Sequence, residues 1–238
     1  METIFCTYGD SKFSSSRVRL CKEAEATGLF DRCITYTEAT KNDSEFRNAL
    51  ENPAFRSAAT ADRGGGYWLW KPYILYKTLA NLNEGDILIY SDAGSTFPNS
   101  QECVASTKRL INRIRDSELG VLGCRNPFIE ADWTKGDVLH YFGAFDNQAI
   151  THSRQFSAGR LHLAKKCRHS LLLYSSWWKT ACEQPTLFDD TPSRKPNLPG
   201  FKENRHDASV WSLLCKCHGV IEEWNWDSIP LLATRIRC

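Results

Sequence analysis

The 238-residue chain contains 42% hydrophobic and 24% charged residues, a composition typical of a globular protein and not of a disordered or fibrous one. Thirty basic and 28 acidic side chains leave a formal net charge of +2, which argues against nucleic acid as the main partner. No window of 18 uninterrupted apolar residues is present, so the sequence predicts no membrane span.

The start of the chain shows no secretory signal, and the cysteine pattern agrees with a reducing compartment. Residues 1–3 lead directly into the apolar residues 4–6, with neither a basic start nor a long apolar region. The ten cysteines include no C-x-x-C pair, so they are predicted to be free thiols. We therefore expect a cytoplasmic protein.

Short apolar runs alternate with helical patterns through the first half of the chain. Strands are predicted at residues 4–8, 33–36, 86–90 and 120–124. Helices are predicted at residues 17–27, 44–51, 72–85 and 102–116. This alternation is typical of βαβ units and implies an α/β fold with a mainly parallel sheet flanked by helices. Ligands of such sheets bind beyond the carboxyl ends of the strands.

The second half of the chain is less regular. Four prolines between residues 185 and 202 predict a long ordered loop or a flexible lid. A helix is predicted after this segment, because apolar residues recur at helical spacing from Val210 and Gly219 ends the pattern. No internal repeat divides the chain, so we expect a single domain.

The first candidate site is the segment 63–73, which reads RGGGYWLWKPY. Three consecutive glycines permit a close approach of the backbone to a ligand. Arg63 and Lys71 flank them, and the helix that begins near Pro72 directs its amide groups to the same spot, a combination suited to a diphosphate. The alternative is a surface turn before a helix whose tryptophans pack in the core.

Two further candidates lie at the ends of predicted elements, one directly after a strand and the other at the start of a helix. Asp92 follows the strand 86–90, where α/β enzymes hold a metal or a ribose, although an aspartate before Gly94 also starts a turn. Asp207 is placed to cap the N-terminus of the last helix. His206 lies beside it, where an imidazole is expected to stay neutral and able to coordinate a cation.

A fourth candidate is the acidic segment 130–137. It contains Glu130, Asp132 and Asp137 together with a tryptophan and a lysine. Acid and base groups beside an aromatic ring suit a sugar, whose C–H face stacks while its hydroxyls bond carboxylates. The alternative is an exposed acidic loop, particularly for Asp132.

Four segments resemble small viral and bacterial glycosyltransferases of the GT-A type, namely 7–10 (TYGD), 66–73 (GYWLWKPY), 85–94 (GDILIYSDAG) and 205–207 (RHD). They are similar in particular to the glycosyltransferase domains that decorate capsids of large algal viruses. The resemblance implies one GT-A-like domain, with a nucleotide-sugar-binding half over about 1–100 and an acceptor-binding half over about 101–238.

The resemblance also implies an activity, the transfer of a hexosyl or deoxyhexosyl group from a nucleotide diphosphate sugar, expected to be a UDP-sugar, to a hydroxyl of a glycan or glycoprotein acceptor. Mn²⁺ or Mg²⁺ would be held by Asp92 and His206. Arg63 and Lys71 would stabilise the departing diphosphate.

The resemblance also implies which residues contact the nucleoside and which one activates the acceptor. Tyr8 and Asp10 would hold the nucleoside by stacking and by hydrogen bonds. A carboxylate among Glu130, Asp137 and Asp207 would orient or deprotonate the acceptor hydroxyl, Asp207 being the first choice.

In this family, the segment that corresponds to residues 91–94 carries a D-x-D motif, which holds a divalent cation and the diphosphate of the donor. The sequence departs from the family pattern at two positions. Gly94 stands where the D-x-D motif has its second aspartate, and Ala208, after His206 and Asp207, stands where the family usually has glutamine. These departures keep open a catalytically silent sugar- or nucleotide-binding protein on the same fold. A metal-dependent phosphoesterase is a further alternative, but it needs a denser set of histidine and aspartate ligands than Asp92, His206 and Asp207 provide.

Overall fold

The computed structural model of the protein describes residues 1–225 and 230–236. Seven strands in this part of the chain form one sheet, and they are β1 (Thr3–Tyr8), β2 (Arg32–Tyr36), β3 (Ile87–Tyr90), β4 (Val121–Ile129), β5 (Arg154–Phe156), β6 (His162–Lys165) and β7 (Ile221–Glu223). The spatial order is β2-β1-β3-β6-β4-β5, and β7 also pairs with β4.

Most strands run in one direction, as the alternation of strands and helices predicts. β1 is parallel to β2 and β3, and β4 is parallel to β7. β6 is antiparallel to both β3 and β4, and β5 is antiparallel to β4. β5 and β6 are therefore the two strands that run opposite to the rest of the sheet. The α/β class is confirmed.

Helices cover both faces of the sheet. In the described residues they are α1 (Ser14–Ala26), α2 (Ser44–Ala49), α3 (Pro53–Ala59), α4 (Gly64–Tyr67), α5 (Trp70–Ala80), α6 (Gln101–Arg115), α7 (Glu130–Trp133), α8 (Gly136–Tyr141), α9 (Gln148–Thr151), α10 (Arg168–Glu183) and α11 (Asp207–His218). The predicted helices appear within a few residues of their expected bounds. The sequence analysis did not predict α3, α4, α7, α8, α9 or α10.

Alternation along the central strands divides the core into two clusters. Ile87 and Ile89 of β3 face a cluster with α1 and α6, while Leu88 and Tyr90 face a larger cluster with α5, α10 and α11. Two buried tryptophans, Trp177 and Trp211, pack in the larger cluster with ring centroids 4.7 Å apart. This cluster packs beneath the polar residues described below.

The proline-rich segment is fastened to the domain, which agrees with an ordered loop. The buried ammonium of Lys135 donates to the backbone carbonyls of Thr186, Asp189 and Thr191. Across the described ranges, no helix combines the length and the apolar character needed to cross a membrane.

Candidate active site

A cleft of about 640 Å³ lies where β1 and β3 end and α11 begins. The polypeptide after β1, the polypeptide after β3 and the first turn of α11 all line it. The cleft brings together seven of the nine residues that the sequence analysis proposed, namely Tyr8, Asp10, Arg63, Lys71, Asp92, His206 and Asp207. Its position agrees with the rule that ligands of α/β sheets bind beyond the carboxyl ends of the strands.

The glycine-rich segment forms one wall of the cleft with an unusual backbone. Every residue from Gly64 to Trp68 has a positive φ, between 47° and 99°. A Cβ atom on Gly66 would lie 2.3 Å from the carbonyl oxygen of Ala59, so only glycine fits there. Two of the positive values belong to Tyr67 and Trp68, and such conformations in non-glycine residues collect at functional sites.

Two tryptophans of this segment have different roles. Trp70 is buried and its ring stacks on Tyr8, with centroids 3.7 Å apart and an interplanar angle of 17°. Trp68 is only half-buried and lines the cleft, with its ring 5.3 Å from the imidazole of His206. The core-packing alternative therefore describes Trp70, whereas Trp68 presents an aromatic surface to the cleft.

At the base of the cleft, one ammonium group joins two carboxylates. Lys71 Nζ lies 2.8 Å from Asp207 Oδ2 and 3.1 Å from Asp92 Oδ1, and it donates to the carbonyl oxygen of Ala158 at 3.0 Å. We call Lys71, Asp92 and Asp207 the Lys71 triad. These contacts use all three donors of the ammonium. Because its donors are committed, Lys71 is not open to a diphosphate, which differs from the role that the sequence analysis gave it.

The protonation states of the triad depend on burial and on the short distances between its charged groups. Burial alone would lower the pKa of Lys71, but the charges of Asp207 and Asp92 raise it above the ordinary value. Lys71 therefore stays cationic. Burial raises the pKa of Asp207, and the nearby ammonium opposes that shift.

The carboxylate of Asp207 does not cap the last helix. His206 occupies the N-cap position of α11 with φ 54°, and Asp207 is the first residue of the helix. Its side chain is directed at Lys71 and makes no capping hydrogen bond. The capping role considered for Asp207 therefore does not apply, and its carboxylate belongs to the base of the cleft.

Asp92 is held in place from several sides. The hydroxyl of Tyr90 donates to its Oδ1 at 2.6 Å, and its backbone N–H donates to the carbonyl oxygen of Gly159 at 3.0 Å. A Cβ atom on Gly159 would lie 2.5 Å from Oδ2, so the glycine makes room for this carboxylate. The side chain of Asp92 is 38% exposed, so the carboxylate faces the cleft.

A second polar cluster on the rim depends on a residue that the sequence analysis missed. Asp190, in the proline-rich loop, accepts hydrogen bonds from Arg63 and Tyr67, each at 2.9 Å, and its other oxygen lies 2.9 Å from His206 Nε2. Burial lowers the pKa of His206, which keeps the imidazole neutral near pH 7 although Asp190 opposes the shift. Two adjacent aspartates in the loop, Asp189 and Asp190, were the available signal.

The two residues proposed for the nucleoside lie side by side after β1. Tyr8 is 5% exposed because Trp70 covers its ring, and its buried hydroxyl lacks a hydrogen-bond partner within the described residues. Asp10 accepts a hydrogen bond from the backbone N–H of Phe13 at 3.2 Å. A base cannot stack on the face of Tyr8 that Trp70 covers, which differs from the stacking role that the sequence analysis gave to Tyr8.

The structure places Glu130 and Asp137 outside the lining of the cleft. Glu130 is fully buried, and Lys216 Nζ lies 2.7 Å from its Oε1. Asp137 accepts backbone hydrogen bonds from Arg194 and Lys195 and so anchors the proline-rich loop. Among the three carboxylates proposed for the acceptor hydroxyl, the structure brings only Asp207 to the cleft.

The donor set does not fit a divalent cation at Asp92 and His206. The Lys71 ammonium, 3.1 Å from Asp92, already supplies a positive charge there, and His206 Nε2 is bonded to Asp190. Gly94 provides no side-chain ligand. In residues 1–225 and 230–236, three potential ligand atoms within 4.8 Å of one another occur only at a site that does not line the cleft, formed by Cys21, Glu25 and Cys33.

Comparisons with known proteins return solved structures only. The chain matches no protein-family model and no curated protein. It is similar to mouse xyloside xylosyltransferase 1 in its apo form, with 11% identity, a TM-score of 0.48, and coverage of 93% of this chain and 72% of that one. It is also similar to the galactosyltransferase LgtC in complex with donor and acceptor sugar analogues, with 14% identity, a TM-score of 0.41, and coverage of 92% and 72%. Similarities at this level do not support an argument about activity. Activity is therefore inferred from the residues of the cleft.

Proposed function

We propose that the chain is a glycosyltransferase that moves a sugar from a nucleotide diphosphate sugar, specifically a UDP-sugar, to a hydroxyl of a glycan acceptor. The observation that carries the proposal is the Lys71 triad, a pair of oriented carboxylates at the base of a cleft of about 640 Å³. Oriented carboxylates bind and activate sugar hydroxyls, and aromatic surfaces such as Trp68 suit the apolar face of a sugar ring.

Each member of the triad has a distinct role in this proposal. Asp92 accepts hydrogen bonds from hydroxyls of the donor sugar or the ribose. Asp207 orients the acceptor hydroxyl and takes its proton as the new bond forms. Lys71 positions both carboxylates and offsets their repulsion, because an ammonium between them stabilises both charged forms. Tyr8 and Asp10 contact the nucleoside, and Arg63 contacts the diphosphate.

The acceptor side is assigned to the second half of the chain. Phe128 lines the cleft and packs against Trp133 with ring centroids 4.9 Å apart, and the guanidinium of Arg205 lies 4.2 Å above the Phe128 ring. The aromatic rings of this surface suit a glycan. The first 100 residues then supply the groups that contact the nucleoside and the donor sugar. The resemblance to capsid-decorating domains favours a glycoprotein as the carrier of that glycan and a hexosyl or deoxyhexosyl group as the sugar.

A catalytically silent nucleotide- or sugar-binding protein is the second candidate. It is favoured by Gly94, which lacks the carboxylate that the resemblance leads one to expect. A metal-dependent phosphoesterase is disfavoured, because the described residues that line the cleft contain no group of three closely spaced metal ligands.

The test is to incubate the protein with a panel of nucleotide sugars, with Mn²⁺ and separately with EDTA, and to identify the products by chromatography. A transferase releases a nucleoside diphosphate, even by slow donor hydrolysis. A phosphoesterase releases a monophosphate or inorganic phosphate, and a silent binder releases nothing, so either result contradicts the proposal. Asp92→Asn should abolish the release, whereas the exposed Asp116→Asn is the matched control.

A further inference from the structure

The departing diphosphate of a nucleotide sugar carries negative charge that the cleft must stabilise. The Lys71 ammonium is committed to two carboxylates and a carbonyl oxygen, so it does not fill this role. The donor set at Asp92 and His206 does not fit a divalent cation either. The positive charge must therefore come from other groups that line the cleft.

One such group is carried by the C-terminal arm, which we define as residues 230–236. The arm pairs with the polypeptide after β3, because Thr96 and Leu232 exchange two backbone hydrogen bonds of 2.9 Å. The carbonyl oxygen of Gly94 accepts further bonds from the Ile236 N–H and the Thr234 hydroxyl, both at 3.1 Å. Leu231 is fully buried and anchors the arm. These contacts fix Arg235 at the edge of the cleft.

Arg235 lies beside the position where the second aspartate of the D-x-D motif is missing. A Cβ atom on Gly94 would lie 3.5 Å from Arg235 Cα, which is an ordinary contact distance. Arg235 has φ 55°, a conformation that side-chain-bearing residues rarely adopt, and the arm holds it there. The chain thus has a cationic residue next to the place where a metal-binding enzyme would have an anionic one.

Four arginines line the cleft, namely Arg63, Arg160, Arg205 and Arg235. Arg160 is buried and donates to the carbonyl oxygen of Leu231, so it helps to hold the C-terminal arm. The pKa of Arg205 is lowered by burial and also by the positive charges of Arg235 and Arg63, although Glu203 and Asp207 oppose the shift. The carboxylate of Glu203 lies 3.9 Å from Arg205 and is half-exposed, so this is a long, solvent-screened ion pair. The lining has five cationic side chains against four carboxylates, so the cleft keeps a net positive charge, which attracts an anion.

We propose that Arg205 and Arg235 bind the diphosphate of the donor in place of a divalent cation, so that nucleoside diphosphate binding does not depend on metal. The inference rests on the proposed function and names the groups that perform one of its steps. Two guanidinium groups carry the same total charge as one divalent cation. They also stay protonated at any physiological pH and can bond phosphate oxygens in a bidentate manner.

Geometry favours these two arginines over Arg63. Arg63 is paired with Asp190 at 2.9 Å, so part of its charge is already offset. The guanidinium of Arg205 lies 4.2 Å from the centroid of the Phe128 ring, a contact that helps to hold the group in the cleft. Arg235 is exposed on an anchored segment, so its side chain can reach a ligand in the cleft.

The test is calorimetric titration of the whole protein with UDP, once in EDTA and once in Mn²⁺. The wild-type dissociation constant should agree within about twofold between the two conditions. In EDTA, Arg235→Ala and Arg205→Ala should each weaken binding about tenfold or more, because each removes a charged hydrogen bond. Arg235→Lys should recover part of the loss. Arg168→Ala removes an exposed arginine outside the cleft and should bind as the wild type does.

Each contrary outcome has a distinct meaning. UDP binding that requires Mn²⁺ overturns the inference and leaves the proposed glycosyltransferase intact. Binding in EDTA that survives both single substitutions also overturns it, because the diphosphate then lies elsewhere. If UDP binds under neither condition, the proposed function with a UDP-sugar donor itself fails. Since Arg235 is exposed, its substitution leaves folding intact, and a melting curve for each variant verifies this.

Discussion

The ammonium of Lys71 lies 2.8 Å from Asp207 Oδ2, and the two side chains are only 2% and 9% exposed. The two residues are 136 positions apart in the sequence, so this ion pair fastens the first turn of α11 to α5. A buried charge without its partner is costly, whereas the intact pair contributes modestly to stability. Both the fold and the proposed site therefore depend on the ion pair between Lys71 and Asp207.

Lys71→Met should destabilise the protein by about 3–5 kcal/mol near pH 7, because it leaves the buried carboxylate of Asp207 without a counter-charge. Urea unfolding measures the change. Lys71→Met/Asp207→Asn is the matched control, since it removes a carboxylate along with the ammonium, and it should recover a large part of the loss. A single variant as stable as the wild type would show that the pair is not buried as described.

Asp207→Asn should keep its melting temperature within a few degrees yet lose most of the turnover. Asparagine has the same shape and its oxygen can still accept a hydrogen bond from Lys71, which also retains Asp92. It has no negative charge and no useful basicity, and loss of general base catalysis typically costs about 10²–10⁴ in rate. The measurement is a melting curve beside the rate of nucleoside diphosphate release. Wild-type turnover would remove Asp207 from the reaction.

Much of the fold could be predicted from local patterns in the sequence. The apolar run at residues 86–90 and the helical spacing from Val210 are strong signals, and both elements are present. The three consecutive glycines also gave a correct signal of an unusual backbone. Patterns of this kind depend on neighbouring residues alone, which is why they could be interpreted without the structure.

The pairing of distant charges could not be predicted in the same way. Lys71 and Arg63 look alike in the sequence as cations that flank glycines, but Lys71 is buried among carboxylates and Arg63 is exposed. Glu130 looked available for catalysis, yet it is enclosed beneath α11 and paired with Lys216. Asp190 and Arg235 reach the cleft from segments without a recognisable motif. Burial and long-range partners decide these roles, and neither is encoded locally.

Gly159→Ala and Gly94→Ala form a matched pair that tests the position of Asp92. A Cβ atom on Gly159 would lie 2.5 Å from Asp92 Oδ2, so alanine must displace the carboxylate, whereas a Cβ atom on Gly94 makes only an ordinary contact. We expect Gly159→Ala to lose turnover about tenfold or more while it stays folded, because misplacement of a positioning group by about 1 Å can cost this much. Gly94→Ala should retain activity. Equal activity in both variants would contradict the proposed role of Asp92.

The last prediction concerns acid stability and the buried residue His162. Its neutral ring is fully satisfied, because Nε2–H can donate to the carbonyl oxygen of Ala158 at 3.0 Å while Nδ1 accepts from the Tyr174 hydroxyl at 3.1 Å. Burial, reinforced by the charge of Lys71, lowers the pKa of His162 to about 3. The pKa in the unfolded chain is about 6.5. Below that value the unfolded state binds a proton that the native state does not.

The contribution of His162 to stability is therefore fully present above about pH 6.5 and is lost as the pH falls toward about 3. Over most of this window the free energy of unfolding should fall by about 1.4 kcal/mol per pH unit on account of this residue. His162→Gln cannot titrate but can still donate and accept hydrogen bonds, so it should be less stable near pH 7 and show a shallower decline with acid. Urea unfolding of both proteins between about pH 7 and about pH 4 measures the two slopes. The carboxylates contribute equally to both slopes, so identical slopes would show that His162 is protonated in the native state.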